Sequence, residues 1–295
     1  MYIDKNGSKW YRGNLHTHTS LSDGKKTPVE TKKAYREMDY DFIALTDHWV
    51  YGDGIDTDES GLIVLSGAEY NFGGSDVLQG VFHIVGFGMT EEPNITTSDD
   101  AQTAIDLINQ AGGLAILAHP AWSLNTCEMI LPFKNLFATE IYNSISGLPY
   151  NCRPYSGLVV DELAARGYAL PLVADDDTHF FCGEEGMSYI LVNLGSDEPT
   201  QGSIMKAIRD GRFIATQGPI FSCEREGGEI VVKCDTPAAY VTFFTNLPFE
   251  WGRNVIADDK PIYEARFKLH EGVTFVRAEI TDKDGNVGYA QIITV

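Results

Sequence analysis

The sequence has little of what would tie a chain to a membrane, an oxidising compartment or a polyanion. No apolar run approaches the ~18 residues that a spanning helix requires. Met1 to Asn6 carry no basic stretch leading into an apolar one, so no secretory leader is expected. Five cysteines (Cys127, Cys152, Cys182, Cys223 and Cys234) are scattered without a CxxC pair. That excludes a disulfide framework or a zinc finger and fits reduced thiols in a cytoplasmic protein. Cys182 lies near His179 in sequence and is read as packing. Basic residues are scarce, 22 Lys and Arg against 42 Asp and Glu, for a formal charge of -20. Residues 218–295 account for -4 of it (8 basic, 12 acidic) and the rest of the chain for -16. Such a surface repels duplex nucleic acid, whose binding requires Lys and Arg to neutralise phosphates. Neither a duplex nor a membrane is an expected partner. Bound cations would offset the charge locally, so a small anionic substrate remains admissible.

What is present is the material of a sizeable core. The 295 residues, 43% of them hydrophobic, accommodate one domain and a smaller module. The first two-thirds alternate short apolar runs with amphipathic stretches, the pattern of an α/β domain. Strands are expected at 14–17, 42–46, 62–66, 82–87, 114–118, 139–142, 169–174 and 189–193. Several are apolar throughout, as in parallel strands covered by helices. Thr27-Pro28-Val29-Glu30 is a capping box that opens a helix running to about Met38. Further helices are expected at 100–111, 156–166 and 203–210, each followed by glycine. After Gly218-Pro219 the helices stop. Five strands at 230–234, 241–245, 262–269, 274–281 and 289–294 point to a small β-sandwich. The expected division is therefore 1–217 and 218–295, with no repeat, low-complexity tract or long linker.

Six of the seven histidines stand in or beside predicted strands. His16 and His18 flank Thr17, and Asp23 follows in the adjoining loop. Asp47-His48 ends the second strand, Glu69 follows the third, His83 lies in the fourth and His119-Pro120 ends the fifth. Asp177-Thr178-His179 ends the seventh. In a parallel α/β barrel such carboxyl ends converge on one rim, where active sites form. A single histidine at a strand end is ordinarily a hydrogen-bonded core or surface residue, and an aspartate there is often a helix cap. Six coincidences interleaved with carboxylates instead describe a metal centre. His270, in the strand-rich tail, is read as surface.

His16-Thr17-His18, Ser22-Asp23-Gly24, Thr46-Asp47-His48, Gly67-Ala68-Glu69, Ala118-His119-Pro120 and Asp177-Thr178-His179 resemble the ordered motifs of the PHP (polymerase and histidinol phosphatase) superfamily. The resemblance spans about residues 10–217. It implies a distorted seven-stranded β/α barrel and a trinuclear site. His16, His18, Glu69 and Asp177 would hold one metal, and Glu69 would bridge to a second held by His83 and His119. Asp23, His48 and His179 would hold the third. The segments Ala207 to Phe213, Thr216 to Pro219 and Val276 to Asp282 resemble the carbaryl-hydrolase type of metallohydrolase within that superfamily.

Mixed imidazole and carboxylate donors suit two or three divalent Zn, Mn or Fe ions better than Mg or Ca. A water between two such ions becomes a nucleophile near neutral pH, and no GxSxG elbow is present to offer a serine. Asp47 is expected to orient the neighbouring ligand His48, with Asp175 and Asp176 in similar roles. Arg153 is the candidate phosphate clamp, and Trp122 would wall the pocket or simply pack. The expected activity is hydrolysis of a small phosphoester, such as a nucleotide or the end of a short single strand. The competing readings are a carbamate or carboxyl ester hydrolase on the same metals, an amidohydrolase-type barrel, and a PHP relic kept as a binding or structural domain.

Overall fold

The computed structural model describes residues 1–4, 7–55, 58–74 and 80–295. The chain is a mixed α/β fold in which sheet predominates. Its first part contains β1 (Tyr2–Ile3), β2 (Lys9–Asn14), α1 (Pro28–Glu37), β3 (Phe42–Ala44), β4 (Ile63–Leu65), β5 (Gly67–Gly73) and β6 (Val81–Phe87). There follow α2 (Ala101–Gln110), β7 (Leu114–Leu117), α3 (Cys127–Ile130), β8 (Ala138–Asn143), α4 (Gly157–Ala165), β9 (Leu172–Asp175), β10 (Tyr189–Gly195), α5 (Gln201–Arg209) and β11 (Phe213–Thr216). The remainder is strand only: β12 (Phe221–Glu226), β13 (Glu229–Ala238), β14 (Tyr240–Thr245), β15 (Asn254–Ile256), β16 (Ile262–Lys268), β17 (Phe275–Thr281), β18 (Val287–Tyr289) and β19 (Ile293–Thr294). No helix among the described residues is long and apolar enough to cross a membrane.

Local chemistry accounts for the helix ends. Thr27 accepts from the backbone of Glu30 while Glu30 reaches back to the Thr27 backbone, and Pro28 opens α1. Asp100 caps α2 through the Thr103 amide. Helix α5 starts before the expected 203 because Thr200, with Ser203, forms its cap.

Among the described residues, the strands of the expected seven-stranded barrel do not join into a single closed cylinder of hydrogen bonds. Among the described residues, one sheet runs β15-β14-β17-β18-β11-β10-β2-β3-β4, and a second runs β5-β6-β7-β8-β9. The chain changes sheet at Ser66, between β4 and β5. A Cβ at Gly67 would fall 2.6 Å from the Leu45 carbonyl oxygen, so glycine is required at that crossing. Strands β2, β3 and β4 are parallel, as are β7, β8 and β9. The β5–β6–β7 run is antiparallel because only residues 74–80 separate β5 from β6, too few for a crossover. Single bridges join the two sheets, Thr17 to Thr178 and His48 to Glu69. Both bridges involve or adjoin the expected metal ligands.

The C-terminal strands do not stand apart either. A three-stranded sheet, β12-β13-β16, packs across an apolar cluster that includes Val232, Phe243, Phe267 and Ile280. The facing layer is the far end of the sheet that carries β2–β4, joined where β18 pairs with β11 across the expected boundary at 217.

Candidate metal centre

The chain leaves β2 under the control of side chains. Asn14 Oδ1 accepts from the His16 amide at 3.1 Å, Thr46 Oγ1 from the Thr17 amide at 2.9 Å and Asp175 Oδ1 from the Leu15 amide at 2.7 Å. These bonds turn His16 and His18 inward, where both are wholly buried. Their Nε2 atoms lie 3.2 Å apart. Asp177 and His119 are held at positive φ, 51° and 30°. Such backbone costs on the order of 1–3 kcal/mol per residue and persists where the surroundings over-determine it.

Glu69, in β5, is the hub. Its Oε2 lies 3.3 Å from His16 Nε2, 3.1 Å from His18 Nε2 and 3.2 Å from His48 Nδ1. Its Oε1 lies 2.9 Å from His83 Nδ1 and 3.5 Å from His119 Nε2. Asp177 Oδ1 is 3.2 Å from His16 Nε2 and 3.1 Å from His18 Nε2. Asp23 Oδ1 is 3.3 Å from His179 Nε2, and its Oδ2 is 3.7 Å from His48 Nε2. Three sets of donor atoms converge to within 4.8 Å: His16, His18, Glu69 and Asp177; His48, Glu69 and His83; and His18, Asp23, His48 and His179. His119 falls outside these sets, with its Nε2 3.7 Å from Asp177 Oδ2. All nine candidate ligands thus lie in one contiguous cluster, and His18, His48 and Glu69 each belong to two sets.

The donors fit cations. Asp177 Oδ1 and His48 Nδ1 are buried with no hydrogen-bond partner, although each faces other donor atoms of the cluster. A buried carboxylate oxygen left this way is costly unless a cation meets it. The titration behaviour agrees. Burial opposes charge on His18, but the adjacent carboxylates of Asp177 and Glu69 outweigh it and push its pKa up to about 9. Burial likewise opposes charge on His16, which Asp177, Glu69 and Glu140 raise well above the ordinary value. His48 is lowered by burial. Glu69, Asp177 and Asp23 are held below the usual carboxylate range, the neighbouring histidines overcoming their burial. Protons on histidine thus stand in for the positive charge that these carboxylates demand.

Among the described residues, the Asp47 carboxylate makes no hydrogen bond or ion pair with the His48 ring. Its Oδ1 accepts from the Thr19 amide and the Ser22 hydroxyl at 2.8 Å each, and its Oδ2 from the Thr19 hydroxyl at 2.7 Å. It holds the turn that carries Asp23. Asp176 accepts from the amides of Gly186, Met187 and Ser188 and from the Tyr35 hydroxyl, so it organises backbone.

Arg153 is exposed and lies in a separate groove with Ala121, Cys152 and Leu158. Asn143 donates to Pro154 O and Tyr142 bridges to Tyr155, which keeps this segment beside the C-terminal end of β8. The expected clamp is therefore off the site. Trp122 does wall it, packing edge-on against His83 and His119 at 5.7 and 4.9 Å. The cavity above the cluster, about 180 Å³, is completed by Ile145, Ser146, Tyr150, Asn151 and Phe181. Tyr150 and Phe181 have ring centroids 5.2 Å apart. No Lys or Arg is among the described lining residues.

Two supporting carboxylates escaped the sequence reading. Glu140 Oε1 lies 2.7 Å from His16 Nδ1, and its Oε2 accepts from the His119 amide at 2.7 Å. Its signal was a lone charge inside an apolar strand, costly unless paired. Glu184 accepts from the amides of His179, Phe181 and Cys182 and so shapes the loop bearing a candidate ligand and a cavity wall. Nothing in its local sequence marks it.

No family model and no curated protein sequence matches the chain. Among solved structures it resembles a two-domain protein from Bacteroides vulgatus that contains a predicted PHP-like metal-dependent phosphoesterase. That likeness has 15% identity and a TM-score of 0.54, and covers 99% of this chain and 98% of the other. An inferred metal-dependent phosphoesterase from Bifidobacterium adolescentis matches 66% of this chain and 95% of its own, at 16% identity and a TM-score of 0.42. An amidohydrolase from Chromobacterium violaceum, with bound sulfate and no metal, matches 57% and 87%, at 18% identity and a TM-score of 0.40. The first likeness establishes a shared fold over both halves of the chain.

Proposed function

We infer that the protein is a metal-dependent phosphoesterase of the PHP type, acting on a small phosphoester such as a mononucleotide or the end of a short single strand. The observation that carries this reading is the convergence of nine imidazole and carboxylate side chains beneath one cavity. His16, His18, Glu69 and Asp177 would hold one ion, Glu69 with His83 and His119 another, and Asp23 with His48 and His179 a third. When bound, Zn, Mn or Fe ions there would supply Lewis acidity and an activated water.

The rest is the work of the chain. With no cationic side chain on the described wall, a substrate's negative charge must be directed to the floor of the cavity. A volume of about 180 Å³ admits a terminal phosphate and little more at depth, well below the ~300–1,000 Å³ of sites for drug-sized ligands. Trp122, Tyr150 and Phe181 line the cavity and would give a base aromatic surface to stack on. Ser146 and Asn151 supply polar atoms to the same wall.

The deciding experiment profiles phosphomonoesters, phosphodiesters, short oligonucleotides and carbamate esters with each metal in turn. Turnover of free or terminal phosphoesters, with little on duplex DNA, is expected. Cleavage of carbamate esters alone would transfer the site to the ester-hydrolase reading, and cleavage inside long duplexes would defeat the size argument.

A further inference from the structure

We propose that the C-terminal strands are a working part of the metal cavity, with Arg277 as a positioning residue for the wall formed by residues 146–151. The inference goes beyond the phosphoesterase reading, and only its kinetic readout rests on that reading. Arg277 stands in β17 with its side chain 1% exposed. Its guanidinium forks onto Asp161 of α4, Nε to Oδ1 at 2.6 Å and Nη2 to Oδ2 at 2.9 Å. Nη1 donates to Glu279, Nη2 donates to the Tyr155 hydroxyl at 3.1 Å, and Cζ sits 3.9 Å from the Phe244 ring centroid. One planar group therefore ties α4, β14 and β17 to a loop residue of the N-terminal part. A buried ion cluster is a poor source of stability compared with apolar packing. What a forked guanidinium supplies is fixed geometry.

Tyr155 is the recipient of that geometry. Its hydroxyl also donates to Glu279, and its ring stacks at 6.4 Å on Tyr289 of β18. Gly157 makes room for it, because a Cβ there would overlap the tyrosine hydroxyl. From Tyr155 the connection to the cavity is short. Pro154 O accepts from Asn143 N at 3.0 Å, and Arg153 N donates to Ser146 O at 2.7 Å. Asn151 N donates to Gly147 O at 2.6 Å, closing the loop that presents Ser146, Tyr150 and Asn151 to the cavity. Asn143, at the base of the same loop, donates through Nδ2 to Asp177 Oδ2 at 3.2 Å. A shift of Tyr155 would thus move the wall while leaving most candidate ligands on strands that Arg277 does not touch.

The test uses the full-length, Mn-loaded protein and three variants: Arg277→Met, Gly157→Ala and Tyr155→Phe. Gly157→Ala displaces the tyrosine without altering any charge, and Tyr155→Phe removes only the hydroxyl, so both guard against a variant that fails to fold. Backbone hydrogen exchange over residues 144–155 should rise about tenfold in Arg277→Met and Gly157→Ala, with metal content unchanged. KM for p-nitrophenyl phosphate should rise about fivefold with kcat within about twofold, and Tyr155→Phe should shift both readouts less, in the same direction. Unchanged exchange over 144–155 in Arg277→Met and Gly157→Ala, whatever happens to their melting temperatures, overturns the proposal. If the wild type does not turn over p-nitrophenyl phosphate, that probe speaks against the phosphoesterase reading, while the exchange result still decides the coupling.

Discussion

His16 Nδ1 and Glu140 Oε1 lie 2.7 Å apart with both side chains wholly buried. The bond fixes which nitrogen of His16 faces Glu69 and Asp177, and Glu140 Oε2 at the same time anchors the backbone of His119. Glu140→Gln preserves the size but sets an amide NH₂ against one of these partners. Loss of such a supporting group typically weakens metal affinity by about 10–100-fold. Competition with a chromogenic chelator measures the change, and wild-type affinity in the variant would refute the orienting role.

Protons and cations compete for the same nitrogens. His18 has its pKa pushed up to about 9 by Asp177 and Glu69 against the cost of burial. In the metal-free protein the stabilisation from these pairs is therefore complete below the ordinary histidine value of about 6.5 and is lost as pH rises through about 9. Loading with a divalent ion removes that proton, so the difference in Tm between loaded and chelator-treated protein should widen from pH 6.5 to 9. Scanning fluorimetry at fixed ion concentration reads this directly, and a constant difference would count against proton–metal competition.

Glu69 meets five imidazoles, whereas Asp47 meets Thr19 and Ser22. After metal supplementation the wild type should carry at least two transition-metal equivalents, and Glu69→Gln should lose most of them. Asp47→Asn should retain those of the Glu69 sets and loosen only the turn that bears Asp23, costing about 1–3 kcal/mol for unsatisfied donors. Elemental analysis and thermal melts of the three proteins suffice. A wild type that takes up no metal would remove the premise.

The clustering of these side chains was legible because strand ends carry side chains to one rim, and His16, His18, His48, His119, Asp177 and His179 all sit just past or between short strands. The α1 cap was legible for the same reason, its residues acting within one turn. Glu69 was placed after a strand, but β5 contains it, since a run of Gly-Ala-Glu-Tyr-Asn-Phe-Gly lacks the β-branched residues that signal a strand. Arg153 was out of reach of any local rule, because its direction is set by the bond of its own amide to Ser146 and by the pairing of Pro154 and Tyr155 with Asn143 and Tyr142 upstream. Arg153→Ala should accordingly leave both metal content and kcat/KM unchanged. A loss of about 2–3 kcal/mol in transition-state binding would return it to the phosphate.

The continuity of the sheet past residue 217 was equally invisible, since hydrogen bonding between β11 and β18 links strands about 70 residues apart. It makes the two halves interdependent. Leu191 and Ile214, from β10 and β11, are buried in a cluster otherwise built mainly from later strands. Each would lose about 1.5–3 kcal/mol of burial if those strands were removed. Tyr289 packs with Ile141, Leu172 and Ala174 around β8 and β9. Gln291 brackets Leu172 through both backbone groups at 2.8 Å, satisfying β9 close to Asp175. Residues 1–217 alone would expose β11 as an unpaired, apolar edge and free the backbone of β9, a combination that invites association. The fragment should therefore be aggregated or lack fixed tertiary packing, as read by size-exclusion chromatography and near-UV circular dichroism. A soluble monomer of residues 1–217 that melts cooperatively and takes up metal would show that the N-terminal part is autonomous after all.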